Sequence, residues 1–299
     1  MGEDTGCVEI RKPGTLIGRP RKPSLMNGGV MCMQYVLSLS YGKDSLACLG
    51  AIEQLGLPLD RIVHTEVWAT ETIPADLPPM VEFKKKADEI IRQRYGISVE
   101  HLRSKWTYDS YFYKKRTEKA KFAGCINGFP MQRRNWCVGR LKTEIIDQSS
   151  KGCISMMGIA ADEPERIKRH IEKPNVVLPL VEAGWTEQDC REWCEENDLL
   201  SPIYTQAARG GCWFCHNQGV DQLRLLRRNY PDLWQFMLKW DTDSPVCFKP
   251  NGHTVHDYDR RFRMEEDGLI PSDRSFKWVM LDNPPVCWAF EQLSLFGEG

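Results

Sequence analysis

The chain has 299 residues, of which 41% are hydrophobic and 27% are charged, so it is too apolar for a disordered protein. Its 40 Lys and Arg residues are balanced by 41 Asp and Glu residues, which excludes an overall positive field that would attract polyanions. No apolar run approaches the roughly 18 residues that span a bilayer, and the acidic start Met-Gly-Glu-Asp is unlike a signal peptide. We therefore expect a cytoplasmic protein with no membrane partner, whose 12 cysteines are thiols or metal ligands rather than disulfides.

The hydrophobic pattern predicts alternating strands and helices after a basic tail, rich in Gly and Pro, over residues 1–30. Thr186 is expected to cap the helix that follows it, with Asp189 completing a capping box. The alternation is typical of an α/β fold, in which a parallel sheet has helices on both faces. Strands are predicted at 34–39, 61–67, 97–102 and 153–159, and helices at about 46–55, 81–95 and 186–197.

Residues 38–45 (Ser-Leu-Ser-Tyr-Gly-Lys-Asp-Ser), between the first predicted strand and helix, have the composition of a phosphate-binding turn. A strand followed at once by a helix directs free backbone N–H groups and the positive end of the helix dipole at one point, which favours an anion. Gly42 would allow a positive φ and the close approach of that anion, and Lys43 would add charge if it points inward. The segment is not a Walker A loop, because Asp44 stands where Ser or Thr follows Gly-Lys. The residues expected at the phosphates are Ser38, Ser40, Tyr41, Gly42, Lys43, Asp44 and Ser45.

This segment resembles the PP-loop (Ser-Gly-Gly-x-Asp-Ser) of the ATP pyrophosphatases and their phosphoadenosine-phosphosulfate (PAPS) reductase relatives. Tyr41 replaces the first glycine, where it would narrow the loop or stack on a ligand. The run from Gly158 to Arg166 resembles the second signature of that family, and residues 179–204 match its Pro-Leu…Trp-Thr…Asp…Asn…Pro-x-Tyr stretch. The resemblance covers residues 34–216 and implies a sheet of the adenine-nucleotide α-hydrolase type, with the nucleotide at the carboxyl ends of the strands. We accordingly expect a nucleotide-binding domain over residues 31–204 and a mostly helical region with a Cys-x-x-Cys pair over residues 205–299.

The resemblance also implies roles for the charged residues of the two signatures. Asp44, together with Asp162 or Glu163, would assist a Mg²⁺ ion that accompanies ATP, while Gly158 and Arg166 would contact the nucleotide. The residues expected to act in catalysis are Lys43, Asp44, Asp162 and Glu163.

Three cysteines form a candidate metal centre. Cys212 and Cys215 form a Cys-x-x-Cys pair that can present two thiolates to one metal. Cys137 lies in a segment that resembles the one ahead of Leu-Lys in the same family, whose iron–sulfur members hold a [4Fe–4S] cluster with both segments. Trp136 replaces a second cysteine there, and the resulting layout is similar to that of the DNA phosphorothioation sulfurtransferase. A structural Zn²⁺ and free thiols are the alternatives, and the candidates for a fourth ligand are Cys125, Cys247 and His216.

A basic segment runs from Lys105 to Lys142, with ten Lys or Arg against two acidic residues and therefore a local net charge of +8. Aromatic residues among cations are suited to the stacking of unpaired bases and to phosphate contacts. We therefore expect a nucleic acid or another anionic substrate here, with a solvated helical face as the alternative. The interleaved aromatic residues are Tyr108, Tyr111, Phe112, Tyr113 and Phe122.

The motifs favour an ATP pyrophosphatase-type sulfurtransferase over a reductase. Sulfonucleotide reductases of the family use a Glu-Cys-Gly nucleophile near the C-terminus, whereas the last cysteine here, Cys287, lies in Pro-Pro-Val-Cys-Trp. We expect cleavage of ATP at the α–β bond, an adenylylated intermediate, pyrophosphate release and sulfur transfer to a nucleic acid or a nucleotide-like substrate. The alternatives are a PAPS or APS reductase acting on an adenylyl sulfonucleotide, and a non-catalytic, zinc-stapled nucleotide-sensing or DNA-binding accessory protein. Other candidate partners are a sulfur-donor protein and a second copy of the chain.

Overall fold

A five-stranded, all-parallel sheet organises the part of the chain that the structure, a computed structural model, describes: residues 33–117, 123–130, 135–205 and 210–282. The predicted tail over residues 1–30 lies outside these residues. The strands are β1 (Tyr35–Ser38), β2 (Arg61–Glu66), β3 (Val99–Arg103), β4 (Ile154–Met156) and β5 (Val176–Val177).

The strand order is β3-β2-β1-β4-β5, so β1 lies at the centre of the sheet. Leu37 of β1 is paired with Ile62 on one side and with Met156 on the other. Because the chain leaves β1 toward β2 but later returns to pair β4 on the opposite side, the carboxyl ends of β1 and β4 flank a topological switch point. Ligands of open α/β sheets bind at such points, and the prediction of a parallel α/β sheet is confirmed.

Helices and loops connect the strands and make up the rest of the described chain. None of these helices has both the length and the hydropathy that a bilayer span requires. A π-helical turn (Gly139–Thr143) joins α4 to α5, and 3-10 turns lie at Pro202–Thr205 and Trp278–Leu281. The helices are α1 (Lys43–Leu55), α2 (Pro78–Tyr95), α3 (Tyr108–Phe112), α4 (Trp136–Val138), α5 (Glu144–Ser149), α6 (Pro164–His170), α7 (Pro179–Ala183), α8 (Glu187–Glu196), α9 (Val220–Asn229), α10 (Pro231–Asp243) and α11 (Val255–Glu266).

The element boundaries differ from the predicted ones mainly where proline or strand pairing decides them. Helix α2 starts at Pro78, ahead of the predicted residue 81, because proline lacks only an N–H that has no partner in the first helical turn. Strand β4 has three residues and β5 two, so β4 is shorter than predicted and β5 was not predicted. The predicted capping box is confirmed, since Asp189 N donates to Thr186 Oγ1 and Thr186 N donates to Asp189 Oδ2.

Two clusters of buried apolar side chains hold these elements together. The first lies between the sheet and the helices α1, α2, α7 and α8, with Leu46 and Leu180 fully buried in it. The second cluster is rich in aromatic side chains. Its buried members come from two parts of the chain, residues 67–141 and residues 213–262. In this cluster the rings of Trp213 and Trp240 stack with centroids 5.6 Å apart. The second cluster therefore brings the Cys-x-x-Cys segment beside the carboxyl end of the sheet.

Candidate functional site

The backbone of segment 38–45 turns sharply between β1 and α1. Leu39 N donates to Val63 O at 2.8 Å, so the turn begins at the edge of the sheet. Tyr41 has a φ of +57°, whereas Gly42 has an extended conformation with a φ of −79°. The positive φ expected at Gly42 is therefore found one residue earlier, at the position where Tyr41 replaces the glycine of the PP-loop pattern. Such a conformation costs a residue with a side chain about 1–3 kcal/mol.

Tyr41 is held in this conformation by its side chain, which is fully buried. Its hydroxyl donates to Asp88 and lies 3.3 Å from Nε2 of His101. His101 in turn lies between Asp88 Oδ2 and Glu66 Oε1, at 2.8 Å from each. The Tyr41 ring packs edge to face against the ring of His64, with centroids 4.7 Å apart. The Tyr41 ring thus packs inside the protein and stabilises the turn. It has no exposed face, so it does not stack on a ligand as one of the predictions for this residue proposed.

The two serines of the turn bond to each other and to its backbone. Ser40 Oγ donates to Ser45 Oγ at 2.9 Å, and Ser45 Oγ donates to the carbonyl of Gly42 at 2.9 Å. Tyr204, from the predicted Pro-x-Tyr stretch, accepts a hydrogen bond from Lys43 N at 3.2 Å. These contacts fix the turn at the N-terminus of α1, a 13-residue helix whose positive dipole end faces the same space.

The residues expected to act in catalysis form a charged cluster beside this turn. Lys43 Nζ lies 2.6 Å from Asp44 Oδ1 and 2.9 Å from Glu187 Oε2. The backbone N–H of Glu187 donates to Asp162 Oδ1 at 3.0 Å. Burial raises the pKa of Asp44, and Lys43 opposes that shift. A second ion pair, at 2.5 Å, joins Glu163 to Arg166.

Gly158 explains why the segment after β4 can lie so close to α1. A Cβ atom at Gly158 would lie 2.7 Å from Cα of Ser45 and 2.8 Å from the carbonyl oxygen of Asp44. Real Cβ atoms do not approach backbone so closely, so only glycine fits without movement of the turn. Close packing between the segment after β4 and the start of α1 therefore explains the glycine at position 158, in addition to the contact with the nucleotide that the sequence predicts.

A cavity of about 330 Å³ lies on the other side of the turn. This volume is at the lower end of the range for small-molecule sites. Ser40, Tyr41 and Gly42 line the cavity, and so does Cys212. Lys43 and Asp44 are not among its lining residues. The other polar residues that line the cavity are His64, Thr65, Asp76, Lys84, Lys142 and Tyr204.

The three predicted metal ligands lie near enough to one another to affect each other's pKa. Cys212 and Cys215 form a tight turn in which Cys215 N donates to Cys212 O at 3.0 Å. Burial raises the pKa of Cys137 to about 12, and the thiols of Cys212 and Cys215 contribute to that shift. Burial likewise raises the pKa of Cys212 to about 11, against the opposing charge of Lys142. Three thiols that disfavour one another's ionisation fit, by donor chemistry, a thiophilic cation that would relieve this repulsion.

Their positions are less compact than a ligand shell. Among the described residues, no three His, Cys, Asp or Glu side chains are grouped closely enough to hold a metal ion. Of the candidates for a fourth ligand, Cys125 and Cys247 are exposed, and His216 is buried.

The aromatic residues of the basic segment divide into two groups. Tyr108 and Phe112 are buried in the second apolar cluster, so the expectation that they stack on bases is wrong for these two. Trp106 and Tyr111 are partly exposed and pack edge to face at 5.5 Å. Lys114 Nζ lies 4.7 Å from the Trp106 ring centroid. Phe122 and four of the ten basic residues, Lys119, Lys121, Arg133 and Arg134, lie outside the described residues.

Sequence reasoning did not select His64, Asp76 or Lys84 as site residues. One signal was present, since Met80, Lys84 and Asp88 recur at four-residue spacing and therefore share a face of α2. All three contact the cavity or the Tyr41 side chain.

Comparison of the chain with protein-family models and with curated proteins found no match.

Proposed function

We propose that this protein is a PP-loop enzyme of the PAPS-reductase type, which binds ATP at segment 38–45, cleaves it at the α–β bond and supports sulfur transfer to a nucleic-acid or nucleotide-like substrate. The observation that supports this proposal most directly is a single cavity whose lining includes both the turn at Ser40–Gly42 and Cys212. A site for the phosphates and a thiol for sulfur chemistry thus open onto one space. The cavity lies at the carboxyl ends of β1 and β2, the edge of the sheet at which α/β proteins bind nucleotides.

In the proposed reaction, an oxygen of the substrate attacks the α-phosphorus of ATP and forms a new P–O bond. The bond between that phosphorus and the bridging oxygen breaks, and pyrophosphate leaves with the electron pair. The backbone N–H groups at the start of α1 would stabilise the charge on the leaving group. Asp44, with Asp162 or Glu163, would hold a Mg²⁺ ion that accompanies ATP, and Arg166 would contact the phosphates. A sulfur nucleophile then attacks the activated atom, and AMP departs with the substrate oxygen.

Cys137, Cys212 and Cys215 would hold an iron–sulfur cluster, with Zn²⁺ as the alternative. Such a cluster would supply iron–sulfur chemistry next to the cavity. Trp213, the residue after Cys212, is buried in the aromatic cluster, and Lys142 lines the cavity and lies near enough to Cys212 to oppose the rise of its pKa.

Trp106, Tyr111 and the neighbouring lysines would bind the acceptor, for which we propose a single-stranded nucleic acid. Lys105, Lys114 and Lys115 are exposed around the two partly exposed rings. Stacking of bases on such rings, with cations beside them, is the usual means by which proteins bind unpaired strands.

The proposal is tested by measuring pyrophosphate release from ATP in the presence of single-stranded oligonucleotides. The wild type is expected to release pyrophosphate, and Asp44→Ala is expected to abolish release because the metal and the phosphates lose a carboxylate at the turn. Asp232→Ala, an exposed carboxylate on α10, serves as the control and should retain release. ATP binding without pyrophosphate release would favour the nucleotide-sensing alternative, and absence of ATP binding by the folded wild type would contradict the proposal.

A further inference from the structure

Two lysines lie near the turn, and they face different surroundings. Lys43, the lysine of the expected motif, contacts two carboxylates, those of Asp44 and Glu187. It does not line the cavity. Lys84 of α2 does line it, beside Ser40, Tyr41 and Gly42, and its Nζ lies 5.1 Å from the Tyr41 ring centroid. A cation that lines the cavity beside the turn therefore comes from a different helix than the motif indicates.

Two side chains hold the ammonium group of Lys84 in place. Its Nζ lies 2.5 Å from Asp76 Oδ2 and 2.9 Å from Nε2 of His64. The other ring nitrogen of His64, Nδ1, lies 2.8 Å from the carbonyl of Leu39, to which it can only donate. Burial and the charge of Lys84 lower the pKa of His64 well below its usual value. The imidazole is therefore neutral, with its Nε2 lone pair directed at Lys84.

An ammonium group has three N–H donors. Within the described residues Lys84 uses one on Asp76 and one on His64, so one donor remains for a ligand in the cavity. The charged groups that line the cavity are Lys84, Lys142 and Asp76, which give it a net positive charge when His64 is neutral. The positive charge of Lys43, in contrast, is already balanced by the two carboxylates of Asp44 and Glu187. A polyanion in the cavity would thus meet Lys84 at the turn.

We infer that Lys84, positioned by Asp76 and His64, is the lysine that contacts the phosphates of the bound nucleotide, and that Lys43 instead stabilises the junction of α1 and α8. This inference rests on the proposed function, because it takes the ligand of segment 38–45 to be a nucleoside polyphosphate. It assigns to α2 a binding residue that the motif does not contain.

Calorimetric titration of the full-length protein with ATP, ADP and AMP tests the inference. Lys84→Met is expected to weaken ATP binding about 10- to 100-fold, the range for loss of a charge-assisted hydrogen bond. The effect should decrease from ATP to AMP as phosphates are removed. The matched control is Lys85→Met, since Lys85 is the next residue of α2 and its side chain is 70% exposed. It should bind ATP as the wild type does, and Lys43→Met should weaken binding less than Lys84→Met.

A second variant separates direct contact from a change of local charge, because loss of Lys84 leaves Asp76 as an unbalanced anion. The double variant Lys84→Met/Asp76→Asn restores the local charge and should still bind ATP weakly, whereas Lys84→Arg should recover part of the affinity. Recovery of wild-type affinity in the double variant would overturn the inference, as would equal affinities of Lys84→Met and Lys85→Met. In both cases the wild type still binds ATP and the proposed function stands. Absence of binding by the folded wild type would overturn the proposed function itself, and the inference with it.

Discussion

Tyr41 illustrates how a single residue can be kept in an unfavourable conformation by its neighbours. Its positive φ costs about 1–3 kcal/mol, and its buried ring and hydroxyl are anchored by Asp88, His101 and His64. The anchor includes a titratable group, because His101 lies between the carboxylates of Asp88 and Glu66. The ammonium group of Lys84 also lies close to this anchor, over the face of the Tyr41 ring. The conformation of the turn is therefore coupled to the protonation of His101.

The pH dependence of stability follows from this arrangement. The hydrogen bond to Asp88 raises the pKa of His101, with burial opposing and Glu66 adding to the shift. The stabilisation is fully present below the unfolded pKa of about 6.5 and is lost as the pH rises through the higher folded pKa. The free energy of unfolding should therefore decrease as the pH rises from about 6.5, and His101→Gln should reduce this decrease. Urea denaturation at a series of pH values measures it.

His170→Gln is the control for this prediction, since His170 lies on the separate helix α6 and its pKa is lowered by burial and by Lys173. It should leave the decrease in place. An unchanged pH profile in His101→Gln would contradict the coupling.

At the scale of elements, α1 is positioned by close packing against α8. Gly50, in the middle of α1, lies under the indole of Trp193, and a Cβ atom there would lie 2.5 Å from Cε2 of that ring. A glycine inside a helix is normally destabilising by about 1 kcal/mol relative to alanine. Its presence here is explained by the contact, which brings α8 and Glu187 close enough to reach Lys43.

Gly50→Ala should destabilise the protein by about 1–3 kcal/mol in spite of the better helix propensity of alanine, because the added methyl group meets the Trp193 ring. Gly139→Ala is the matched control: its Cβ would have no neighbour within 4 Å, so its free energy of unfolding should be unchanged or slightly higher. Adding Trp193→Leu to Gly50→Ala should recover part of the loss. A stabilised Gly50→Ala variant would show that the two helices are not in close contact.

At the scale of the whole molecule, charge is distributed unevenly around a nearly neutral total. The formal net charge is −1, yet the segment between Lys105 and Lys142 has +8. Lys105, at the end of this segment, follows β3 closely, so the basic surface begins at the same edge of the sheet as the cavity. We therefore expect an anionic strand to be attracted to this part of the described surface.

This distribution predicts salt-dependent binding of single-stranded oligonucleotides, measured by fluorescence anisotropy. Replacing Lys105, Lys114 and Lys115 together by Gln should weaken binding and lower the slope of log affinity against log salt by roughly two, at about 0.7 per phosphate contact. A triple Gln variant of exposed lysines outside the segment, Lys151, Lys168 and Lys173, carries the same change of charge. Equal losses in the two variants would indicate a non-specific charge effect and contradict the predicted surface.

Local patterns in the sequence were sufficient for the alternation of strands and helices, the capping box at Thr186 and the place of the turn between β1 and α1. They were insufficient where distant residues decide the outcome. Lys43 contacts Glu187, 144 positions away, and the packing of α2 on the sheet places Lys84, rather than the lysines beside it, in the lining of the cavity. The positive φ was predicted at Gly42 but is found at Tyr41, whose buried side chain makes stabilising contacts that a glycine could not make.

The backbone of the Cys-x-x-Cys turn is bonded to the loop that contains Asp76. Trp213 N donates to Ala75 O, and Trp213 Nε1 donates to Pro74 O, both at 2.9 Å. The two loops should therefore open together in a single fluctuation, with one shared rate of amide hydrogen exchange. Because Asp76 follows Ala75 and pairs with Lys84, we expect a change of redox state at the Cys-x-x-Cys turn to alter the contact between Asp76 and Lys84 as well.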